Sequence, residues 1–300
     1  MSALAELRRV LTRLAVRRDA LVGINRRNVT LVYRHNPRRY YPLADDKLLT
    51  KERLAAAGVP TPRTLAQCDG LYAISAALEI LAAHDDFVIK PAGASGGAGI
   101  IAVVERVAAG RWRTAGGKDI GVAQIQRHLA EVIFGVYAKD IQDRAFIEER
   151  ILPHPFFDEL WNEGLCDVRV LTLESRPLMA MIRVPTRRSQ GRANLHQGGL
   201  GLAVDLETGH TFRAWSGHDT LRTHPETGAA LLGREVPGWR DVLEVATRAA
   251  AALPLGYLGV DVVIDRRRGP MVLEVNARPG LEIQNVNGTG LGPALAAVPA

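Results

Sequence analysis

The 300-residue chain is 47% hydrophobic and 23% charged, enough apolar material to bury a core in one large domain or several smaller lobes. No apolar run reaches the ~18 residues of a membrane-spanning helix, the chain opens without the features of a signal peptide, and two distant cysteines, Cys68 and Cys166, support neither a disulfide framework nor structural zinc. A formal net charge of +6 invites an anionic partner, but the arginines are scattered rather than gathered into one stripe, so nucleic acid is not expected, and the two lone cysteines fit a reducing cytoplasm.

Leu4, Leu7, Leu11 and Leu14 recur at helical spacing with Arg8, Arg9, Arg13, Arg17 and Arg18 between them, so residues 2–22 read as a basic amphipathic helix. Packing on its own domain with a solvated basic face is the expected use; peripheral contact with a partner or an anionic membrane surface is the alternative. A short strand over 29–33 and a proline-broken loop lead to a helix over 46–57, which Gly58, Pro60 and Pro62 terminate. A second helix covers 71–83, and the strand 87–90 runs into a glycine-rich loop, 91–99, followed by a strand over 100–105. Next come a helix over 121–138, a strand over 144–150 and an irregular aromatic stretch, 152–161, whose rings suit either a core or a contact surface. Strands near 166–174 and 177–184, a polar Gly/Arg segment over 186–201, a helix over 238–252 and two strands, 259–265 and 270–276, complete the pattern. Strands and helices mix without regular alternation, which predicts an α+β architecture.

The last two strands carry the most chemistry. If Asp265 and Pro270 flank the turn between them, paired residue numbers keep a constant sum and Asp261 faces Glu274. Alternation puts Glu274 and Asn276 on one face, which Asp261 joins. Carboxylates facing each other destabilise a sheet pair, and hard oxygen ligands beside phosphates suit magnesium, with manganese as a substitute. A polar face on which the carboxylates pair with arginines is the competing reading. Lys90, at the end of an apolar strand before the glycine loop, is placed to meet phosphate oxygens together with backbone N–H groups, although neither a GK[ST] ending nor a GxGxxG spacing is present. Arg183, Arg187, Arg188 and Arg192 lie among glycines in a segment suited to an anion, and His196 reads as a structural histidine.

Taken in order, Asp46-Lys47, Phe87-Val88-Ile89-Lys90 with its glycine loop, Ile147-Glu148-Glu149-Arg150, Asp167-Val168-Arg169, Arg192-Ala193-Asn194-Leu195-His196, Asp261 and Glu274-Val275-Asn276-Ala277-Arg278-Pro279-Gly280 resemble the ATP-grasp superfamily, most closely its RimK-type glutamate ligases, over residues 44–292. The resemblance implies an ATP-grasp fold: two α+β lobes clasping ATP, residues 44–150 with the glycine loop and 151–300 with the metal site. A short segment, 1–43, stands in place of a full preceding domain. It implies that Lys47, Lys90, Gly96 and Gly97 meet the phosphates, that Glu148, Glu149, Arg150 and Ile151 form the adenine hinge, and that Asp167 lies at the ribose side. Arg192 and Asn194 fall at the phosphate end, and Asp261, Glu274 and Asn276 match magnesium ligands. The implied reaction is ATP-dependent ligation of a carboxylate to an amine through an acyl phosphate, joining an amino acid to a peptide or small amine, with Arg278 stabilising the tetrahedral intermediate and Arg192 and Asn194 as the other catalytic candidates. Phosphotransfer on the same site, or an ATP-binding scaffold role, is the alternative. The short first segment implies a partner protein or a second copy completing the acceptor site. Arg278 stands where the RimK-type pattern commonly has a small residue, which implies a different anionic substrate, and 152–165 reads as an insertion.

Overall fold

The computed structural model describes residues 20–138 and 141–298. The basic helix expected over 2–22 lies, apart from its last three residues, outside them. Two antiparallel sheets carry the fold. The first contains β1 (Thr64–Cys68), β2 (Phe87–Pro91), β3 (Ile101–Ala108), β4 (Arg111–Thr114), β5 (Asp119–Gly121) and β6 (Ala145–Glu148), in the order β1-β6-β2-β3-β4-β5. The second contains β7 (Asp167–Leu173), β8 (Arg176–Val184), β9 (Leu200–Val204), β10 (Thr211–Trp215), β11 (Thr220–Leu221), β12 (Tyr257–Asp265) and β13 (Gly269–Asn276), in the order β11-β10-β9-β8-β7-β12-β13. The principal helices are α1 (residues 24–35), α2 (Pro42–Asp45), α3 (Lys47–Ala56), α4 (Ile74–Leu81), α5 (Val122–Ile133), α6 (Pro155–Leu160), α7 (Trp239–Ala251) and α8 (Glu282–Asn287). The α+β expectation holds.

Alternation explains where each sheet buries itself. On the second sheet Val168 and Val170, Ala180 and Ile182, Leu200 and Leu202, and Val260 and Val262 point to one face and pack with Val242, Ala246 and Ala249 of α7. Their neighbours point the other way, and that opposite face is divided. One part is apolar, with Leu171, Met179, Met181 and Tyr257 against Leu31, Val32, Ile283 and Val286; the other carries Asp167, Arg169, Arg183 and Asp261. The first sheet packs Phe87, Ile89 and Ile147 with Leu81 of α4 and Leu129 of α5. Helix α3 spans the two bodies: Leu48 packs with Ala92 and Phe146 of the first, and Leu54 with the core of the second. Asp46 caps its start, its Oδ1 accepting from the N–H groups of Leu48 and Leu49 at 2.9 and 3.1 Å.

Three expectations are corrected. Residues 29–33 are not a strand but the middle of α1, which contains a π-turn over Asn28–Val32; burial of Leu31 and Val32 against the second sheet outweighs the local β-branched preference. The stretch 152–161 is not wholly irregular, because Pro155–Leu160 forms a helix that His154 caps. Phe157 and Trp161 are buried in the main core, which decides between core and contact surface for these two rings. Strands β1, β4, β5, β9, β10 and β11 were not expected. Among the described residues no helix is long and apolar enough to cross a membrane.

Candidate functional site

Asp261 does face Glu274, by a route the sequence did not predict. The turn closes one residue early, with Asp265 opposite Gly269, whose φ of 77° suits glycine. Val262 therefore pairs with Val272, and a β-bulge between Val262 and Asp261 then restores the register. The bulge also sets the faces. Val272 and Val275 both enter the core under α7, so the two residues between them, Leu273 and Glu274, are left on the other side. Without the extra residue, strict alternation from Val272 would turn Glu274 into the core.

Asp261 is 1% exposed and is gripped by two arginines. Arg169, its neighbour on β7, donates from Nε to Oδ1 at 2.7 Å and from Nη2 to Oδ2 at 2.6 Å. Arg183 on β8 reaches over to Oδ2 at 2.5 Å while forking onto Asp167 at 2.6 and 2.7 Å. Burial penalises the charge on Asp261, but Arg169 and Arg183 outweigh it and hold the carboxyl below its ordinary range. Asp167 is pushed up to about 6, by burial and by the charge of Asp261, against the pull of Arg183. Arg183, read from sequence as part of an anion-binding segment, is thus engaged with carboxylates.

The donor set fits magnesium only in part: Asp261 is paired with arginines, as the competing reading of this face expected, and among the described residues no three His, Cys, Asp or Glu side chains gather as a metal site. A carboxylate offers about four acceptor positions, and the arginines take three on Asp261. Asn276 turns its Nδ2 toward Asp261 Oδ2 at 3.5 Å, which leaves its Oδ1 available. Glu274, close enough to Arg183 to raise the guanidinium's proton affinity, adds a third hard oxygen group. Oxygen donors without sulfur or imidazole suit a hard cation.

The glycine loop and its lysines sit on the first sheet. Lys90 lies at the end of β2 and binds Glu148 Oε1, while Lys51 binds Glu148 Oε2 at 2.7 Å. Burial opposes the charge on Glu148, yet the two lysines keep it ionised below the usual carboxylate range; burial pulls Lys51 down. Lys51, one helical turn beyond Lys47, was not singled out from the sequence. Lys47 donates to the carbonyl of Ala94 at the loop's entrance. Asp143 accepts from Gly93 N at 2.9 Å and so anchors the loop. Across from it, a Cβ on Gly97 would lie 3.7 Å from Arg192, and one on Gly96 3.9 Å from Gln197, so the 186–199 segment covers the loop.

The remaining expected residues are distributed around these groups. Glu149 joins Arg63 at 2.6 Å to Arg268 at 2.5 Å, linking the start of β1 to the β12–β13 turn. Arg150 pairs with Asp86 at 2.9 Å, and Ile151 is buried against Val263 and Met271. Asn194 Oδ1 accepts from His196 N at 3.1 Å and shapes the short turn after Arg192. Arg278 is exposed, pairs with Asp45 at 2.6 Å and lies 4.8 Å over the Tyr41 ring. On the same side of the second sheet a cavity of about 190 Å³ is lined by Arg188, His196, Ser216, His218 and Glu282.

Residues 26–300 match the family described as sugar-transfer associated ATP-grasp. A probable alpha-L-glutamate ligase of Xanthomonas oryzae pv. oryzae (strain MAFF 311018) is 30% identical over 264 residues, covering 88% of this chain and 67% of the relative. Another from Sodalis glossinidius (strain morsitans) is 34% identical over 116 residues, 39% of this chain and 28% of its own. Among solved structures, the ATP-grasp ligase PsnB complexed with minimal precursor aligns over 88% of this chain at 16% identity and a TM-score of 0.48; this chain spans 62% of that one's length.

Proposed function

The chain belongs to the sugar-transfer associated ATP-grasp family, and from that premise we propose that it is an ATP- and magnesium-dependent carboxylate–amine ligase of the alpha-L-glutamate ligase kind. The observation that carries the reading is the bulged β12–β13 pair, which gathers buried Asp261 and half-buried Glu274 and Asn276 on one polar face beside two arginines. Magnesium held by these three groups neutralises phosphate charge when bound. Lys90 has three donors and uses one on Glu148, which leaves two for phosphate oxygens; Lys47 and the N–H groups around Gly96 and Gly97 line the same approach. Glu148 holds the ammonium groups of Lys51 and Lys90 in place, so they are positioned before ATP arrives. The hinge residues 148–151 take adenine through their backbone, because their side chains are engaged elsewhere; Asp167, expected at the ribose, is instead buried and held by Arg183.

A carboxylate oxygen of the acid attacks the γ-phosphorus, the bond to ADP breaks, and an acyl phosphate forms. The amine nitrogen then adds to the carbonyl carbon, phosphate leaves, and the nitrogen loses a proton. Arg192, against the glycine loop, and Arg278, beyond the metal strand, supply charge to the oxygens that become negative. The cavity of about 190 Å³ beyond Arg192 joins a guanidinium, Arg188, to a carboxylate, Glu282, a combination that suits an amino acid or peptide end.

The test is ADP and phosphate release by the purified protein with magnesium and ATP, against carboxylic acids and amines supplied singly and in pairs. Release that requires both members of one pair is the expected result. Release with one partner and accumulation of a stable phosphorylated product would replace the ligase by a phosphotransferase, and ATP binding without turnover in any pair would defeat the ligase reading.

A further inference from the structure

Counted by residue the arginines are scattered, but the net charge is not. Residues 1–40 hold ten arginines and two carboxylates, a net charge of +8; the other 260 residues hold 28 basic and 30 acidic side chains, a net of −2. The whole positive balance of the chain belongs to its first 40 residues. The described part of that segment also exposes apolar side chains: Leu21 is 52% exposed, Ile24 61%, Val29 64% and Tyr33 56%. Arg34, Arg38 and Arg39 are exposed as well, and Arg38 lies 5.7 Å over the Tyr33 ring.

We infer that the exposed side chains of residues 21–39 form a docking surface for an anionic lipid bilayer, drawn to it by the positive charge of the first 40 residues. Basic residues near such a surface are drawn to its negative potential, and interleaved aliphatic and aromatic side chains gain by entering the headgroup boundary. Nucleic acid would satisfy the charge and Tyr33, but exposed Leu21, Ile24 and Val29 contribute nothing to phosphate contacts or base stacking. A bilayer uses both halves of the composition. The arrangement is also rigidly tied to the metal strand. Buried Asn36 donates to the carbonyls of Tyr257 and Ala277, both at 2.7 Å, and accepts from Tyr257 N at 2.9 Å. Arg27 Nη1 donates to Pro279 O at 2.9 Å, and Gln284 bonds both backbone groups of Val22 at 2.9 Å. Docking through this surface therefore fixes the orientation of the second sheet against the bilayer, a consequence that does not depend on the reaction catalysed.

The test is co-sedimentation of the full chain with vesicles of equal parts phosphatidylcholine and phosphatidylglycerol, compared with pure phosphatidylcholine, over a salt series. Binding only to the anionic vesicles, weakening with salt, is expected. Each basic residue at the surface is worth roughly fivefold, so the triple change Arg34→Gln, Arg38→Gln and Arg39→Gln is expected to weaken binding about a hundredfold. Ile24→Ser with Val29→Ser, both at exposed positions, is expected to weaken the binding that remains at high salt. Thermal melts equal to that of the unaltered chain serve as the folding control for both variants. No binding to anionic vesicles, equal binding to neutral ones, unaltered binding by both variants, or tighter binding to duplex DNA that the serine changes leave untouched would each overturn the inference.

Discussion

Replacing Arg183 by methionine removes three charge-assisted hydrogen bonds at once, two to Asp167 and one to Asp261. Both carboxylates are buried, at 4% and 1% exposure, so water cannot take the guanidinium's place. Asp261 keeps Arg169 at 2.6 Å, whereas Asp167 loses the cation that forks onto it. Breaking a buried pair from one side costs about 3–5 kcal/mol, which for a chain of this size lowers the thermal midpoint by roughly 6–20 °C. The pH dependence distinguishes this cause from lost packing. Asp167 already has a folded-state pKa of about 6, raised by burial and Asp261, and removing Arg183 takes away the main group opposing that rise. A carboxyl whose folded pKa is raised contributes stability below its unfolded pKa and loses it as pH rises through the folded value. The deficit of Arg183→Met relative to the unaltered chain should therefore be small near pH 5 and widen toward pH 8. Urea or thermal unfolding at the two pH values measures it, and adding Asp167→Asn should restore part of the loss at pH 8. A deficit below about 1 kcal/mol at pH 8, or one independent of pH and unaffected by Asp167→Asn, would refute the reasoning.

Other substitutions probe the remaining parts of the site. Glu274→Gln keeps the shape of a residue that lies outside the core, so it should leave the melting curve unchanged while lowering metal-dependent turnover at least about a hundredfold; full turnover would remove Glu274 from the metal set. Glu148→Gln leaves Lys51 and Lys90 facing a neutral amide, and should destabilise the chain by about 3 kcal/mol at neutral pH. Because the folded pKa of Glu148 is lowered, its contribution is complete above the unfolded carboxylate value and fades as pH falls through the lower folded one; unfolding curves for the two proteins should converge in acid, and a constant gap would contradict the assignment. A Cβ on Gly201 would sit 2.3 Å from Val286 Cγ2, so Gly201→Ala should cost about 1–3 kcal/mol, and a neutral result by chemical denaturation would show that α8 yields without strain.

The parts of the fold visible in the sequence were those set by local pattern. Asp46, Gly58 and the prolines beyond marked α3, and the apolar runs around Asp167 and Asp261 marked the strands of the second sheet. The facing of Asp261 and Glu274 was legible, although two departures cancelled: a turn one residue tighter than expected and a bulge that restored the count. Bulges leave no signature in a constant-sum argument. Residues 29–33 failed because their burial comes from the second sheet and α8, far away in sequence. Short edge strands such as β11 and β5 carry too few residues for a period to register. Within the site, the magnesium candidates were visible as oxygen-bearing residues at alternate positions, but the grip of Arg169 and Arg183 on Asp261 depends on strand order β8-β7-β12, which no local pattern encodes. The pairing of Lys51 with Glu148 is likewise a contact across 97 positions.

The most direct test of the ligase reading follows the oxygen. With the acid of the productive pair labelled with oxygen-18 in its carboxylate, passage through an acyl phosphate transfers one labelled oxygen to the released phosphate. Labelled inorganic phosphate together with ADP is the predicted outcome. Unlabelled phosphate, or label recovered in AMP, would contradict attack by the carboxylate on the γ-phosphate.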